Sequence, residues 1–191
     1  MQDRLPSLLT LTTAFPNPNE PGHSPFVAAR LRALAEHASI RVIAPVPCID
    51  YSNPGGDLWA SHRIPARRRH GPLDVWHPRW LFPPLGTPVN VFCLAARLLP
   101  LAARLHRQSP ADWIDAHFGY PDGAAAALVA RALRLPFSIT IRGNEMIHAA
   151  RPARRRILRW ALRQATRVIA VSDELRQFAL SLGVHPGRAL T

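Results

Sequence analysis

The stretch Leu8–Pro45, LLTLTTAFPNPNEPGHSPFVAARLRALAEHASIRVIAP, decides the fold class. Leu8–Thr13 is a short run of leucine and threonine that reads as a buried strand. Phe15–Pro25 is dense in Pro, Asn and Gly and reads as a loop. Ser24 followed by Pro25 marks a helix start, a hydroxyl cap and then proline at the first helical position. Val27, Leu31, Leu34, Ala35 and Ala38 recur at helical spacing, with Arg30, Glu36 and His37 off that face. Ile40–Ala44 is a second strand, stopped at Pro45. Strand, helix and strand in this order predict a right-handed parallel crossover.

The alternation repeats outward from this unit. Pro45–Pro72 is irregular and carries the basic run Arg67, Arg68, Arg69. Leu73–His77 is a short strand, Val89–Arg107 a helix expected to kink at Pro100, and Trp113–Ala116 a strand. Pro121–Leu135 is a helix, apolar nearly all round from Ala124 to Ala130, and Phe137–Ile141 a strand. Ala153–Ala165 is a helix, Arg167–Val171 a strand, and Asp173–Leu182 a helix closed by Gly183. The sum is a doubly wound α/β domain with a mainly parallel sheet of about six strands. Ligands in such sheets sit beyond the carboxyl ends of the strands, so the loops after Thr13, Ala44, Ala116, Ile141 and Val171 matter most. Val184–Thr191 reads as a turn into a further strand that has barely begun. The expectation is one domain over residues 1–191, cut from a longer architecture.

The chain has 191 residues, 48% hydrophobic and 19% charged, which is globular composition and excludes wholesale disorder. All 24 basic residues are arginine and the formal net charge is +12. Coding bias is one reading of the missing lysine and phosphate or anionic-surface recognition by the guanidinium fork the other, and the charge favours acidic partners. Cys48 and Cys93 stand far apart with no CxxC pattern, which argues against a disulfide framework and a cysteine zinc site. The first residues lack the pattern of a secretory signal, and the uncharged stretch Trp80–Ala96 is broken by Pro83, Pro84 and Pro88. The expected location is the cytoplasm, with attachment to the inner membrane face compatible with the charge.

Three clusters carry chemistry. DAHFGYPDG, Asp115–Gly123, lies where a strand ends and a helix begins. There His117 reads first as a loop histidine satisfied by backbone groups, and second as a group that could donate to a sugar hydroxyl or phosphate or move a proton; Tyr120 turns the chain, and Asp122 and Gly123 open the helix. TIRGNE, Thr140–Glu145, places Arg142 to meet a phosphate and Glu145 to meet a hydroxyl or arginine, or to form a surface ion pair. VSDEL, Val171–Leu175, reads first as a helix cap at Ser172. The helix Arg151–Ala165 sets Arg155, Arg156, Arg159 and Arg163 opposite an apolar stripe, a solvated face that would also suit an anionic membrane. GxGxxG, Walker, HExxH and GxSxG patterns are missing, and His62, His70 and His77 lack metal-ligand spacing. No RRM, KH or zinc-finger signature supports specific nucleic-acid binding.

In combination, TAFPNPNEPGHSPFVAARLRAL, RVIAPVP, HPRW, DAHFGYPDG, FSITIRGNE and VIAVSDELR resemble, in order, the amino-terminal half of GT-B glycosyltransferases of family four. The resemblance implies a Rossmann-like acceptor domain facing a second such domain across a cleft. It implies sugar transfer from a nucleotide sugar with retention, to a glycan or lipid-linked acceptor, with no metal ion or other cofactor. It makes His117 the catalytic cleft histidine, sets Gly22 and His23 near the donor phosphates or acceptor, and sets Arg142, Gly143 and Glu145 beside the acceptor. Ser172 matches the serine opening the last helix. The donor-binding half of the family has no counterpart in this sequence, so the chain is expected to be inactive alone. The alternative is a non-catalytic binding module completed by a partner chain.

Overall fold

The computed structural model of the chain describes residues 4–51, 57–83 and 87–191. Its elements are β1 Ser7–Leu11, α1 Pro25–Leu34, β2 Ser39–Ile43, β3 Val46–Pro47, β4 Arg67–His70, β5 Leu73–Trp76, β6 Arg79–Trp80, α2 Thr87–Gln108 and β7 Trp113–His117. They continue with α3 Ala124–Leu133, β8 Phe137–Ile141, α4 Asn144–Ala149, α5 Pro152–Gln164, β9 Arg167–Ala170, α6 Asp173–Ser181 and β10 Ala189–Leu190. One sheet of eight strands runs in the order β10-β9-β8-β7-β1-β2-β5-β4, and a two-stranded ribbon pairs β3 with β6. Only the β4–β5 pair is antiparallel among the described strands. This is the doubly wound, mainly parallel α/β architecture the sequence predicts.

Apolar faces dictate how the layers close. On one face, Val27, Ala28 and Leu31 of α1 bury against Ile40, Val42, Leu73 and Val75. On the other, α2, α3 and α5 cover the sheet through Leu94, Leu98, the alanines 124–127, Leu158 and Leu162. Each such leucine contributes about 1.5–3 kcal/mol on burial. Helix α2 is long and apolar enough to cross a membrane by length and composition, but its Leu94, Leu98, Ala102 and Leu105 are buried in this core.

Several local expectations are corrected. Arg67–His70 lies inside the stretch read as irregular, yet it forms the antiparallel edge strand β4. Residues 52–56 of that stretch, and Pro84 with its neighbours 85–86, lie outside the described residues. Pro100 lies inside α2, as expected, and is exposed, so water can take up the carbonyl that proline leaves without a partner. Pro25 does open α1, but Ser24 sits at φ 47° and its hydroxyl makes no capping bond. A left-handed residue lacks the extended geometry of a side-chain cap. The helix read from Pro121 starts at Ala124, after the wide turn Gly119–Gly123 in which Tyr120 takes an extended conformation.

The strand order reverses at β1, which lies between β2 and β7. Loops leaving β1 and β7 therefore meet at one crevice, the place where open α/β sheets bind ligands.

Candidate functional site

Two groups of side chains meet at this crevice. The deeper is built on β7. Asp115, flanked by Ile114 and Ala116, points into the interior and is 2% exposed. The Ser138 hydroxyl donates to its Oδ1 at 2.8 Å, and Arg30 Nη1 donates to its Oδ2 at 3.2 Å. His117 Nε2 stands 3.1 Å from the same Oδ2, while its Nδ1 is buried without a partner among the described residues. Burial alone would raise the Asp115 carboxyl, but the His117 hydrogen bond, the charges beside it and Ser138 hold it below the usual carboxylate range. Burial pushes His117 down, against the pull of Asp115 and helped by Arg30 and Arg142. A neutral imidazole donating from Nε2 to an ionised carboxylate satisfies both shifts.

Arg142, at the end of β8, adds a second guanidinium. It lies 4.9 Å over the Phe26 ring, and its Nε is buried with no partner among the described residues. Burial and the charge of Arg30 both lower its pKa. Two guanidiniums thus lie near the buried carboxylates Asp115 and Glu145, and the Arg142 Nε keeps an unused donor that an anion could take. Periodicity sets Arg30 off the buried face of α1, and only tertiary packing brings it to Asp115. The signal for Asp115 was legible: a carboxylate inside an apolar strand demands a buried partner.

The shallower group lines a cleft of about 520 Å³ that includes Thr13, Asn17, His23, Trp80 and Pro121. Behind its floor Asp122 is buried, and the Thr13 hydroxyl donates to its Oδ2 at 3.0 Å. Desolvation pushes the Asp122 carboxyl up to about 7, with Glu145 adding to the rise.

The remaining expected residues divide. Glu145 has no exposed surface; it accepts from Gly119 N–H at 2.8 Å, Arg142 N–H at 3.0 Å and Gly143 N–H at 2.9 Å. It ties the β7 and β8 loops together and is no surface ion pair. Gly143, at φ 115°, makes the turn that lets these amides converge. Tyr120 is 5% exposed and donates to the Thr87 carbonyl, locking the start of α2. Gly123 permits close approach: a Cβ there would lie 2.9 Å from the Phe118 carbonyl oxygen. Gly22 is exposed beside His23, and a Cβ there would meet nothing within 4 Å. Ser172 caps α6, accepting from Leu175 N–H at 3.3 Å, and stands apart from both groups. No cluster of three or more His, Cys, Asp or Glu suited to a metal occurs among the described residues.

The family model described as Glycosyltransferase Family 4 matches residues 78–190. No curated protein matches the chain. Among solved structures, sucrose-phosphate synthase from Thermosynechococcus elongatus superposes with a TM-score of 0.66 at 13% identity, over 97% of this chain and 47% of that one. Anabaena HepE in complex with UDP and glucose gives 0.56 at 16% identity, over 97% of this chain and 43% of that one. UDP-GlcNAc 2-epimerase from Methanocaldococcus jannaschii gives 0.59 at 11% identity, over 97% and 45%. The chain spans about half the length of these three relatives. At such identities the likeness establishes the fold.

Proposed function

The chain belongs to glycosyltransferase family 4, and from that premise we propose that it is the acceptor-side half of a retaining transferase moving a sugar from a nucleotide sugar to a glycan or lipid-linked acceptor. The observation that carries this reading is the buried Asp115–His117 pair held by Arg30 at the strand-order reversal, with Arg142 near enough for its charge to act on His117. In the reaction the bond from the anomeric carbon to the diphosphate oxygen breaks. The acceptor oxygen bonds to that carbon on the same face, and its proton leaves with the departing diphosphate. The developing anionic charge is the main catalytic demand, and guanidiniums fixed before reaction meet it without reorganising. Arg30 and Arg142 would face that charge, His117 would hold Arg30 and Asp115 in register, and the Thr13–His23 cleft would receive the acceptor.

A second Rossmann-like half, in the same polypeptide or in a partner chain, would supply the donor contacts. The proposed setting is polysaccharide assembly in the cytoplasm, with the exposed Arg155, Arg156, Arg159 and Arg163 of α5 against an anionic membrane. The reading calls for no metal. Nucleotide release from UDP-, GDP- and ADP-sugars, measured for the chain alone and joined to a donor-binding half, tests it. Turnover confined to the joined form, with the anomeric configuration kept in the product, is expected; silence of both forms would overturn it.

One observation favours the alternative of a non-catalytic binding module: His117 has no exposed surface. Sugar-nucleotide binding without turnover in the joined form would select that reading.

A further inference from the structure

A recess of about 660 Å³, outside the switch-point site, lies between the β4–β5 hairpin, β6 and the second half of α2. Four guanidiniums surround it. Arg67 and Arg79 come from the strands, and Arg97 and Arg104 from one face of α2, two turns apart. Pro100 and Leu101 supply apolar floor. The positions are uneven in their partners. Arg67 pairs with Asp74 at 3.2 Å and lies 4.9 Å over Trp76. Arg79 Nη2 donates to the carbonyls of His62 and Ile64, each at 2.8 Å, so it is held in place. Arg97 and Arg104 are exposed and make no ion pair to any described residue. One carboxylate among four cations leaves a concave, strongly positive wall.

This recess adjoins the cleft. Arg79 lines the recess, and the next residue, Trp80, lines the cleft; Ile64 lines the cleft and Ala66 the recess. Successive side chains of a strand point to opposite faces, so the recess and the cleft lie on the two sides of β6. A chain with its end in the cleft and its body in the recess would wrap around this short strand.

The geometry points to an acidic oligosaccharide as the occupant, its preceding sugar units held here while its end is presented in the cleft. This deepens the transferase reading and rests on it. A sugar polymer offers carboxylates or sulfates spaced along apolar ring faces, which matches spaced guanidiniums over an apolar floor. A planar bilayer cannot enter a concavity. A nucleotide would need an open aromatic face for its base, whereas Trp76 is 8% exposed and already carries Arg67.

The test is titration calorimetry on the full chain with hexagalacturonate, maltohexaose and hexaglutamate as probes. Hexagalacturonate should bind, weaken steeply as salt rises, and lose at least tenfold in affinity in Arg97→Ser/Arg104→Ser. Both side chains are exposed, so the fold should survive, which circular dichroism checks. The charge-matched Arg131→Ser/Arg188→Ser should keep the affinity. Equal binding by the first variant, or binding of maltohexaose as tight as the acid, would overturn the proposal. Binding of hexaglutamate as tight as the sugar acid would also overturn it, in favour of an acidic peptide along edge strand β4. Acidic-sugar binding without turnover in any joined form would leave the recess standing and remove the transferase reading. Turnover on short neutral acceptors without acidic-sugar binding would do the reverse.

Discussion

His117 Nε2 lies 3.1 Å from Asp115 Oδ2, and both side chains are sealed from solvent. The contact spans the end of β7 and fixes Arg30 through the shared carboxylate oxygen. The imidazole is thus as much a packing element as a chemical one.

His117→Ala should therefore cost about 2–4 kcal/mol of folding stability, from the cavity and the lost donor to a buried carboxylate. Urea denaturation at pH 7 checks this. A midpoint equal to that of the parent chain would show that the histidine supports nothing, and would return its whole role to ligand contact.

Two buried groups make opposite demands on pH. Asp122 is raised from 3.8 to about 7, so its contribution is fully present below pH 3.8 and is lost as pH rises through about 7. His77, whose Nδ1 lies 2.9 Å from the Ala44 carbonyl, is lowered from 6.5 to about 4, chiefly by burial. Its contribution is present above pH 6.5 and is lost as pH falls through about 4. Between these limits the two slopes offset each other, each at most ~1.4 kcal/mol per pH unit. Asp122→Asn should unmask the histidine, giving stability that rises with pH across this window relative to the parent. A parallel pair of stability curves would refute the Asp122 shift.

Gly119 and Gly22 should respond oppositely to alanine. A Cβ at Gly119 would lie 2.3 Å from Leu158 Cδ1 and 3.2 Å from Glu145 Cγ, whereas at Gly22 nothing lies within 4 Å. Gly119→Ala should lose about 1–3 kcal/mol, and Gly22→Ala should stay within about 0.5 kcal/mol. Thermal melts of the two variants decide this. A stable Gly119→Ala would mean that Leu158 of α5 does not press on the β7 loop at Gly119.

Basic helix α5 should bind anionic vesicles through its outer face, where Trp160 is 38% exposed among arginines. Sedimentation with phosphatidylglycerol vesicles should be salt-sensitive and fall several-fold in Arg155→Ser/Arg156→Ser/Arg159→Ser. Absence of binding at low salt would remove the membrane surface from the proposal.

What the sequence discloses follows the strength of its apolar patterning. Runs such as Phe137–Ile141, buried throughout, announce a central parallel strand. Arg67–His70 carries no such run; β5 alone supplies its pairing partner, so no local pattern marks it. The site divides in the same way. His117, Arg142 and Glu145 sit at strand ends, where the fold itself directs attention. Arg30 lies on the polar side of an amphipathic helix, and only tertiary packing turns that side toward Asp115. Glu145 read as a surface or ligand group because one sequence cannot reveal that three amides from two loops converge on it.

The most direct measurement is nucleotide release from UDP-, GDP- and ADP-sugars by the chain joined to a donor-binding half, compared with the same form carrying Arg30→Ala/Arg142→Ala. Turnover in the parent form, falling at least tenfold in the double variant with its fold intact by circular dichroism, is the expected result. Equal turnover in both forms would contradict an anion-facing role for the arginine pair, and with it the central claim.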